Sequence, residues 1–358
     1  MKVVRYWPRA VVGDGGITGS VRRWSRCLAR EGVDCTIAYD EEGTVPEIPG
    51  VRWQHVQHAG PAGWNVPLDL ERVIAGADLL VLHSGWNLPN IAAGRVARSL
   101  GVPFLLEPRG AYDPWIVARH ASRKHIWFTA FEHGLMKAAA AIHVFFECER
   151  GHLCALDYHG RTIRAPNGIE VPADMPGRTG RGNYLLWLGR FDPEHKGLEQ
   201  LLAALALLSP SERPPTRLHG PDWRGGKART EQLVRKLRLQ DSVTLGGPVY
   251  DGEKRQLLAA AAAFVYPSRW EAFGNALAEA VALAVPTLAT PYPLARHLAD
   301  AGVTVLAPST AEGLADGIRR VLSDDAASMA KRGPEFLREN FAWPIVARRW
   351  LEQAGEIV

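Results

Sequence analysis

From end to end, the 358-residue chain alternates short β-branched runs with longer amphipathic ones, and the alternation restarts at Tyr184-Leu185-Leu186-Trp187-Leu188-Gly189. Such alternation marks βαβ units, parallel strands covered on both faces by helices. In the first half it predicts strands over Lys2 to Trp7, Asp34 to Ala38, Val51 to Val56, Asp78 to His83, Pro103 to Glu107 and Ala141 to Phe145. In the second half it predicts Tyr184 to Gly189, Thr216 to His219, Val243 to Leu245, Ala263 to Tyr266, Pro286 to Ala289 and Thr304 to Leu306. The clearest helix is Ile17 to Arg30, where Val21, Trp24 and Leu28 recur at helical spacing and Gly32 stops the run. Between the halves, Pro166-Asn167-Gly168 and the stretch from Pro176 to Gly182 are rich in turn residues and free of strand pattern, which makes them the expected linker. Two α/β halves of similar size are expected, and the cleft between them is the first place to look for a site.

Composition narrows the possibilities. A chain 47% hydrophobic and 22% charged is globular, and no apolar run reaches the roughly 18 residues of a membrane-spanning helix. The start, Met1-Lys2-Val3-Val4-Arg5-Tyr6, lacks the order of a signal peptide, so a cytoplasmic location is expected. Cys27, Cys35, Cys148 and Cys154 form no CxxC pair and read as reduced structural thiols. A net charge of +4 is too mild for nucleic acid and suits an acidic ligand such as a phosphate ester.

The segment from Tyr266 to Glu279 carries the most chemistry. A buried strand ends at Pro267, a loop carries Glu271, and Gly274 opens a helix whose amides on Asn275 and Ala276 could face a phosphate. Glu271 and Glu279 cannot both touch a diphosphate without repulsion, so at least one should address hydroxyl groups; acids favoured by a helix dipole are the plainer reading. After the first strand of the second half, Arg190 and Lys196 could grip one diphosphate, or could belong to a solvated turn. Gly13-Asp14-Gly15-Gly16-Ile17-Thr18-Gly19 could bring backbone close to a phosphate or sugar. It has Thr18 where GxGxxG needs its third glycine, which disfavours an NAD dehydrogenase.

Gly220 to Ala228 has the outline of a P-loop, but Ala228 stands where the magnesium-binding hydroxyl belongs. His83-Ser84-Gly85-Trp86-Asn87 and the stretch from Glu107 through Arg109 and Gly110 to Trp115 set polar groups beside indoles at strand ends. That suits a carbohydrate, and equally suits satisfied core residues. His120, His125 and His133 match no usual metal-ligand spacing, so no metal site is expected.

Together these segments resemble the GT-B glycosyltransferases of the large retaining family 4. Glu271 through Glu279 looks like that family's E-x7-E motif. Arg190 and Lys196 match its paired diphosphate-binding residues, and His219-Gly220-Pro221 and Gly246-Gly247-Pro248 fall where members carry glycine-bearing loops near the donor. Gly15-Gly16-Ile17, His83-Ser84-Gly85-Trp86, Pro108-Arg109-Gly110, Pro114-Trp115 and Pro166-Asn167-Gly168-Ile169 look like landmarks of one branch, so the resemblance covers essentially the whole chain. The resemblance implies two Rossmann-like doubly wound domains facing a central cleft. These would be an acceptor-binding domain over 1–172, a nucleotide-sugar-binding domain over 173–340, and a terminal helix over 341–358 crossing back onto the first. The stretch from Phe336 to Ile357 has the spacing for that helix.

By resemblance, Arg190 and Lys196 would stabilise the diphosphate leaving group and Glu271 would bind the donor sugar. Gly15, Gly16, Gly220, Val249, Phe273, Gly274, Asn275, Ala276 and Glu279 would bind the donor, with Glu279 on the ribose. His83, Trp86, Asn87, Arg109 and Gly110 would form the acceptor side. Arg109-Gly110 stands where many relatives carry His-Gly, so that histidine's role does not carry over. The implied reaction is metal-independent transfer, with retention, from a nucleotide-diphosphate sugar to a hydroxyl of a glycan, glycolipid or natural product. It uses no cofactor and no nucleic acid.

A GT-B-like epimerase or hydrolase and a non-catalytic sugar-nucleotide binder are the competing readings. Arg22, Arg23, Trp24, Arg26 and Arg30 make a basic first helix with one indole, so peripheral contact with the inner face of a membrane is a further expectation beside a solvated helix face.

Overall fold

The computed structural model describes residues 1–11, 16–61, 64–172 and 182–358. Gly13 to Gly15 and most of the expected linker, including Pro176 to Arg181, lie outside the described residues. The chain divides into two compact units, the first Met1–Gly168 with Trp343–Val358 and the second Ile169–Ala342.

Among the described residues the first unit is built on a parallel sheet of seven strands: β1 (Lys2–Tyr6), β2 (Asp34–Tyr39), β3 (Val51–His55), β6 (Leu79–His83), β7 (Phe104–Glu107), β8 (Ala141–Val144) and β9 (Thr162–Arg164). Two-residue strands β4 (His58–Ala59) and β5 (Val66–Pro67) pair separately as an antiparallel ribbon. The order β3-β2-β1-β6-β7-β8-β9 reverses direction between β1 and β6. Every residue of β6, β7 and β8 is buried, as strands covered on both faces require.

The second unit carries β10 (Leu185–Leu188), β11 (Thr216–His219), β12 (Val243–Gly246), β13 (Ala263–Tyr266), β14 (Thr287–Ala289) and β15 (Val305–Leu306) in a second parallel sheet. Its order β12-β11-β10-β13-β14-β15 reverses between β10 and β13. Where strand order reverses, the loops leaving the two adjacent carboxyl ends diverge to opposite faces and open a crevice. In this unit those loops are Gly189–Gly197 and Pro267–Gly274.

The terminal stretch expected as one helix is two, Gly333–Phe341 and Trp343–Ala354, broken at Ala342, whose ψ of 139° is extended. Pro344 suits a helix start and is poorly tolerated inside one, which gives the break its local cause. The second of these helices belongs to the first unit, where Trp343, Val346, Ala347 and Trp350 pack with Trp24, Leu28, Val3 and Ile163. Trp24 is fully buried there and Arg22 is tied to the carbonyls of Ala10 and Val11, so the first helix does not offer its indole to a membrane. Cys27 and Cys35 are buried, with thiols pushed up to about 11 by burial, whereas Cys148 and Cys154 are exposed; all four are free.

Candidate functional site

The loops after β10 and β13 meet through side chains. Gly197 adopts φ +65°, and a Cβ there would collide with the carbonyl of Pro267, so glycine is what lets the two loops close. Lys196 follows from this turn: its Nζ lies 2.5 Å from Glu271 Oε1 and donates to the Tyr266 hydroxyl at 3.2 Å. Lys196 is buried and the Glu271 side chain is 12% exposed. Burial alone would raise the Glu271 carboxyl, but Lys196 foremost, with His195 and Ser268, holds it below its ordinary value.

Arg190 is placed by its neighbours. Its Nη2 donates to His195 Nδ1 at 3.0 Å, and His195 Nε2 donates to the Trp270 carbonyl at 2.8 Å. Burial, then the adjacent Lys196, depresses His195 to about 4, so the ring is neutral at neutral pH and its two contacts fix one tautomer. The Arg190 guanidinium carbon lies 4.8 Å from the centre of the Trp223 ring.

The helix Asn275–Ala282 starts at Gly274, which has φ +96° and provides no side-chain cap, so the first amides of the helix have no Ncap side chain to donate to. Asn275 and Ala276 are half-buried; Phe273 is buried, its ring 6.1 Å from that of Phe341. Glu279 pairs with Lys254 at 2.8 Å rather than with Arg190 or Lys196. Gly220 packs against the carbonyl of Gly189, and Gly226 against that of Phe191, where any Cβ would collide. The P-loop-like stretch therefore serves close packing of backbone. Its helix start is occupied by the Asp222 carboxylate, which accepts from the amides of Gly225 at 3.0 Å and Lys227 at 2.8 Å. Val249 is half-buried beyond β12.

In the first unit the structure gathers residues that the sequence kept apart. Glu107, fully buried at the end of β7, accepts from Arg5 Nη2 at 2.9 Å, and Arg109 Nη2 lies 2.9 Å, His83 Nδ1 2.6 Å and His143 Nδ1 2.8 Å from its carboxylate. The two guanidiniums and two imidazoles outweigh burial and hold Glu107 well below the carboxylate range, and burial depresses His83 to about 3. His83 and Arg109, expected on the acceptor side, are thus buried members of a charge cluster, and Arg109 also donates to Ser20 Oγ at 2.6 Å.

Gly110, at φ +78°, is buried in the turn after Arg109. Asn87 caps the helix Leu88–Ser99 by accepting from the Asn90 amide. Trp86, half-buried, donates from its indole to the Ala111 carbonyl at 2.7 Å and from its backbone to Glu132 at 3.0 Å. Gly16 is exposed at the start of the helix Gly16–Arg30, and Gly15 lies outside the described residues. Sequence reasoning missed Tyr266, Trp223, Lys254 and the Glu107 cluster. Only Tyr266 had a local signal, as the polar end of an otherwise apolar strand.

Comparison with known proteins gives the same architecture. Residues 175–336 match the model described as glycosyl transferases group 1, and residues 15–168 the one described as glycosyl transferase 4-like domain. A glycogen synthase of Mycobacterium tuberculosis is 32% identical over 201 residues, 51% of this chain and 45% of the relative, so the match spans less than half the length of that protein. A phosphatidyl-myo-inositol mannosyltransferase of Mycobacterium leprae is 26% identical over 360 residues, 89% of this chain and 94% of the relative. An Anabaena protein, HepE, solved in complex with UDP-glucose, superposes with a TM-score of 0.77 at 17% identity, covering 99% of this chain and all of the other.

Proposed function

The chain belongs to the GT-B glycosyltransferases of family 4, and we propose that it moves a sugar from a nucleotide-diphosphate donor to an acceptor hydroxyl. The observation that carries the reading is the meeting of Arg190, Lys196 and Glu271 at the strand-order reversal of the second unit, where doubly wound sheets hold their ligands. Arg190 offers a planar fork and Lys196 a point charge to the diphosphate, and the uncapped helix start at Gly274 offers amides of Asn275 and Ala276. Glu279 takes the ribose hydroxyls, exchanging Lys254 for them, and Glu271 takes the donor sugar. Gly220 and Val249, on the loops after β11 and β12 of the same unit, complete the donor side.

In this reading the leaving diphosphate is stabilised by side-chain cations and helix amides, without a divalent metal. Transfer is same-face: the departing phosphate oxygen accepts the acceptor proton as the new glycosidic bond forms, and the anomeric configuration is retained. Glu271, tied to Lys196, is a hydrogen-bonding carboxylate in this scheme and not a nucleophile.

Proton NMR of the product, together with nucleotide release measured with and without acceptor and with and without EDTA, tests the proposal. Acceptor-dependent, EDTA-resistant release with a retained anomeric centre is the expected result. Inversion or EDTA sensitivity overturns the mechanism, and release without acceptor points to a hydrolase.

A surface of the first unit supports a lipid-presented acceptor. Between Ser84 and Ala138 the carboxylates are Glu107, Asp113 and Glu132. The first and last are fully buried, and Asp113 caps a helix by accepting from the Trp115 amide. Exposed there are Arg95, Arg98, Arg119 and Arg123, with Ile126 70% exposed and Phe131 36% exposed. Trp127 links Phe131 to Trp64, itself 61% exposed, through ring contacts of 4.9 and 5.8 Å. Cations interleaved with exposed aromatic and aliphatic groups fit an anionic lipid surface. Among the described residues no helix is long and apolar enough to cross a membrane.

A further inference from the structure

Arg190 is a long side chain at the mouth of the donor site, and its position is set from two sides by residues that no local motif marks. On one side His195 accepts from Nη2 at 3.0 Å; on the other, the Trp223 ring lies 4.8 Å from the guanidinium carbon. The two arms come from different elements. His195 is on the loop of Arg190 itself and is pinned to the neighbouring loop by its bond to the Trp270 carbonyl, with the Trp270 ring 5.5 Å away. Trp223 lies beyond β11, on the turn that Asp222 closes by accepting from Gly225 and Lys227, and Phe191 bridges to Asp222 so that this turn travels with the Arg190 loop.

We infer that His195 and Trp223 form a clamp that holds the Arg190 guanidinium ready for the donor diphosphate, making both of them positioning residues. The inference rests on the donor-site reading above.

Three observations support a role beyond packing. Trp223 is 40% exposed, so its indole is not there to fill a core, and its contacts are with the cations Arg190 and Arg224. His195 can accept from Arg190 only while neutral, and the burial that depresses its titration keeps it so. Arg190 Nε is buried with no hydrogen-bond partner among the described residues, and Asp192 Oδ2 comes no nearer to Nη2 than 3.8 Å, so the fork keeps donors for an anion. Arginine loses much rotamer freedom on binding, so ordering its fork beforehand strengthens each phosphate contact it then makes.

The clamp predicts a loss confined to the diphosphate. Binding of UDP, GDP and ADP, and of uridine, guanosine and adenosine, is measured by calorimetry for the wild type, Arg190→Ala, Trp223→Ala, Trp223→Phe, His195→Phe and His195→Gln. For the nucleotide that the wild type takes, Arg190→Ala weakens the diphosphate about tenfold or more and leaves the nucleoside unchanged. Trp223→Ala and His195→Phe reproduce several-fold of that loss. Trp223→Phe, which keeps an aromatic face, and His195→Gln, which keeps an acceptor and a donor, recover most of it. In turnover the loss falls on kcat as well as on the donor KM, because the leaving diphosphate is what Arg190 stabilises. Trp223 is exposed, so its variants test the clamp even if His195→Phe fails to fold.

An Arg190→Ala loss with unchanged binding in Trp223→Ala overturns the clamp alone. A wild type that binds none of the diphosphates overturns the donor-site reading and the clamp with it.

Discussion

Lys196 Nζ lies 2.5 Å from Glu271 Oε1, and this pair, together with the bond from His195 to the Trp270 carbonyl, ties the loops that leave two adjacent strands, β10 and β13, at the point where the strand order of the second sheet reverses. A pair this enclosed is costly to halve, because the remaining charge keeps its burial and loses its partner. The lysine is satisfied by a carboxylate, and in the proposed donor site the diphosphate offers it a second anion. Lys196→Ala is therefore expected to lower kcat/KM by about 10²-fold, the usual cost of one leaving-group contact. Glu271→Gln is expected to lower both activity and Tm. Steady-state kinetics with thermal melts check both, and wild-type kinetics in both variants would remove the pair from the site.

His195 gives stability a sign with pH. The folded ring titrates near 4 because of burial and then Lys196, whereas an unfolded imidazole titrates near 6.5. Between these values the unfolded chain binds a proton that the folded chain refuses, so this contribution is whole above about pH 6.5 and is lost as pH falls towards 4. His83, at about 3, acts in the same direction, and Glu149, pushed up to about 7 by burial, acts in the opposite one. The readable quantity is the difference between variants: His195→Gln should flatten the fall of Tm between about pH 6.5 and 4. An unchanged slope would mean that the ring already takes up its proton in the folded chain.

Much of the architecture was legible because parallel strands buried on both faces write themselves as apolar runs. Thr216–His219 and Ala263–Tyr266 fall where the spacing predicts them, and the others agree to within a residue or so at each end. β9, three residues with only Ile163 fully buried, has too little apolar pattern to be read. The break at Ala342 did carry a signal, Pro344, which helical spacing alone overrode. Arg190, Lys196 and Glu271 were legible as residues, but Tyr266, Trp223 and Lys254 were not, since each acts through a neighbour that only the folded sheet supplies. The burial of His83 and Arg109, expected on the acceptor side, was not legible for the same reason. Polar groups beside indoles read as a ligand surface until Arg5, Glu107 and His143, from three other strands or strand ends, are seen to enclose them.

That enclosed cluster makes a stability prediction. Glu107→Gln leaves Arg5 and Arg109 buried without their shared anion, and should cost about 3–5 kcal/mol. Urea unfolding checks the value, and a loss below about 1 kcal/mol would mean that water or another group compensates the arginines.

Gly197→Ala should also destabilise, by about 1–3 kcal/mol, because alanine must adopt a left-handed φ and its Cβ meets the Pro267 carbonyl. Since the turn seats Lys196, donor affinity should fall with stability. An alanine variant with wild-type Tm and kinetics would show that the two loops can separate without consequence.

The basic, aromatic face of the first unit predicts flotation with vesicles containing about a third anionic phospholipid, and none with neutral vesicles. Ile126→Glu together with Arg123→Glu should abolish it while leaving the melting temperature in place. Equal binding to neutral vesicles, or flotation untouched by the double change, would assign that face to something other than a lipid surface.

Binding of a nucleotide-diphosphate sugar by the second unit through Arg190, Lys196 and Glu271 is read by thermal melting of the wild type and Lys196→Ala against UDP, GDP, ADP and TDP sugars, with and without EDTA, since a ligand that binds the folded state raises Tm by mass action. The expected result is a rise with one nucleotide class, indifferent to EDTA and lost in Lys196→Ala. No rise with any donor at millimolar concentration, or a rise that Lys196→Ala leaves intact, would contradict it.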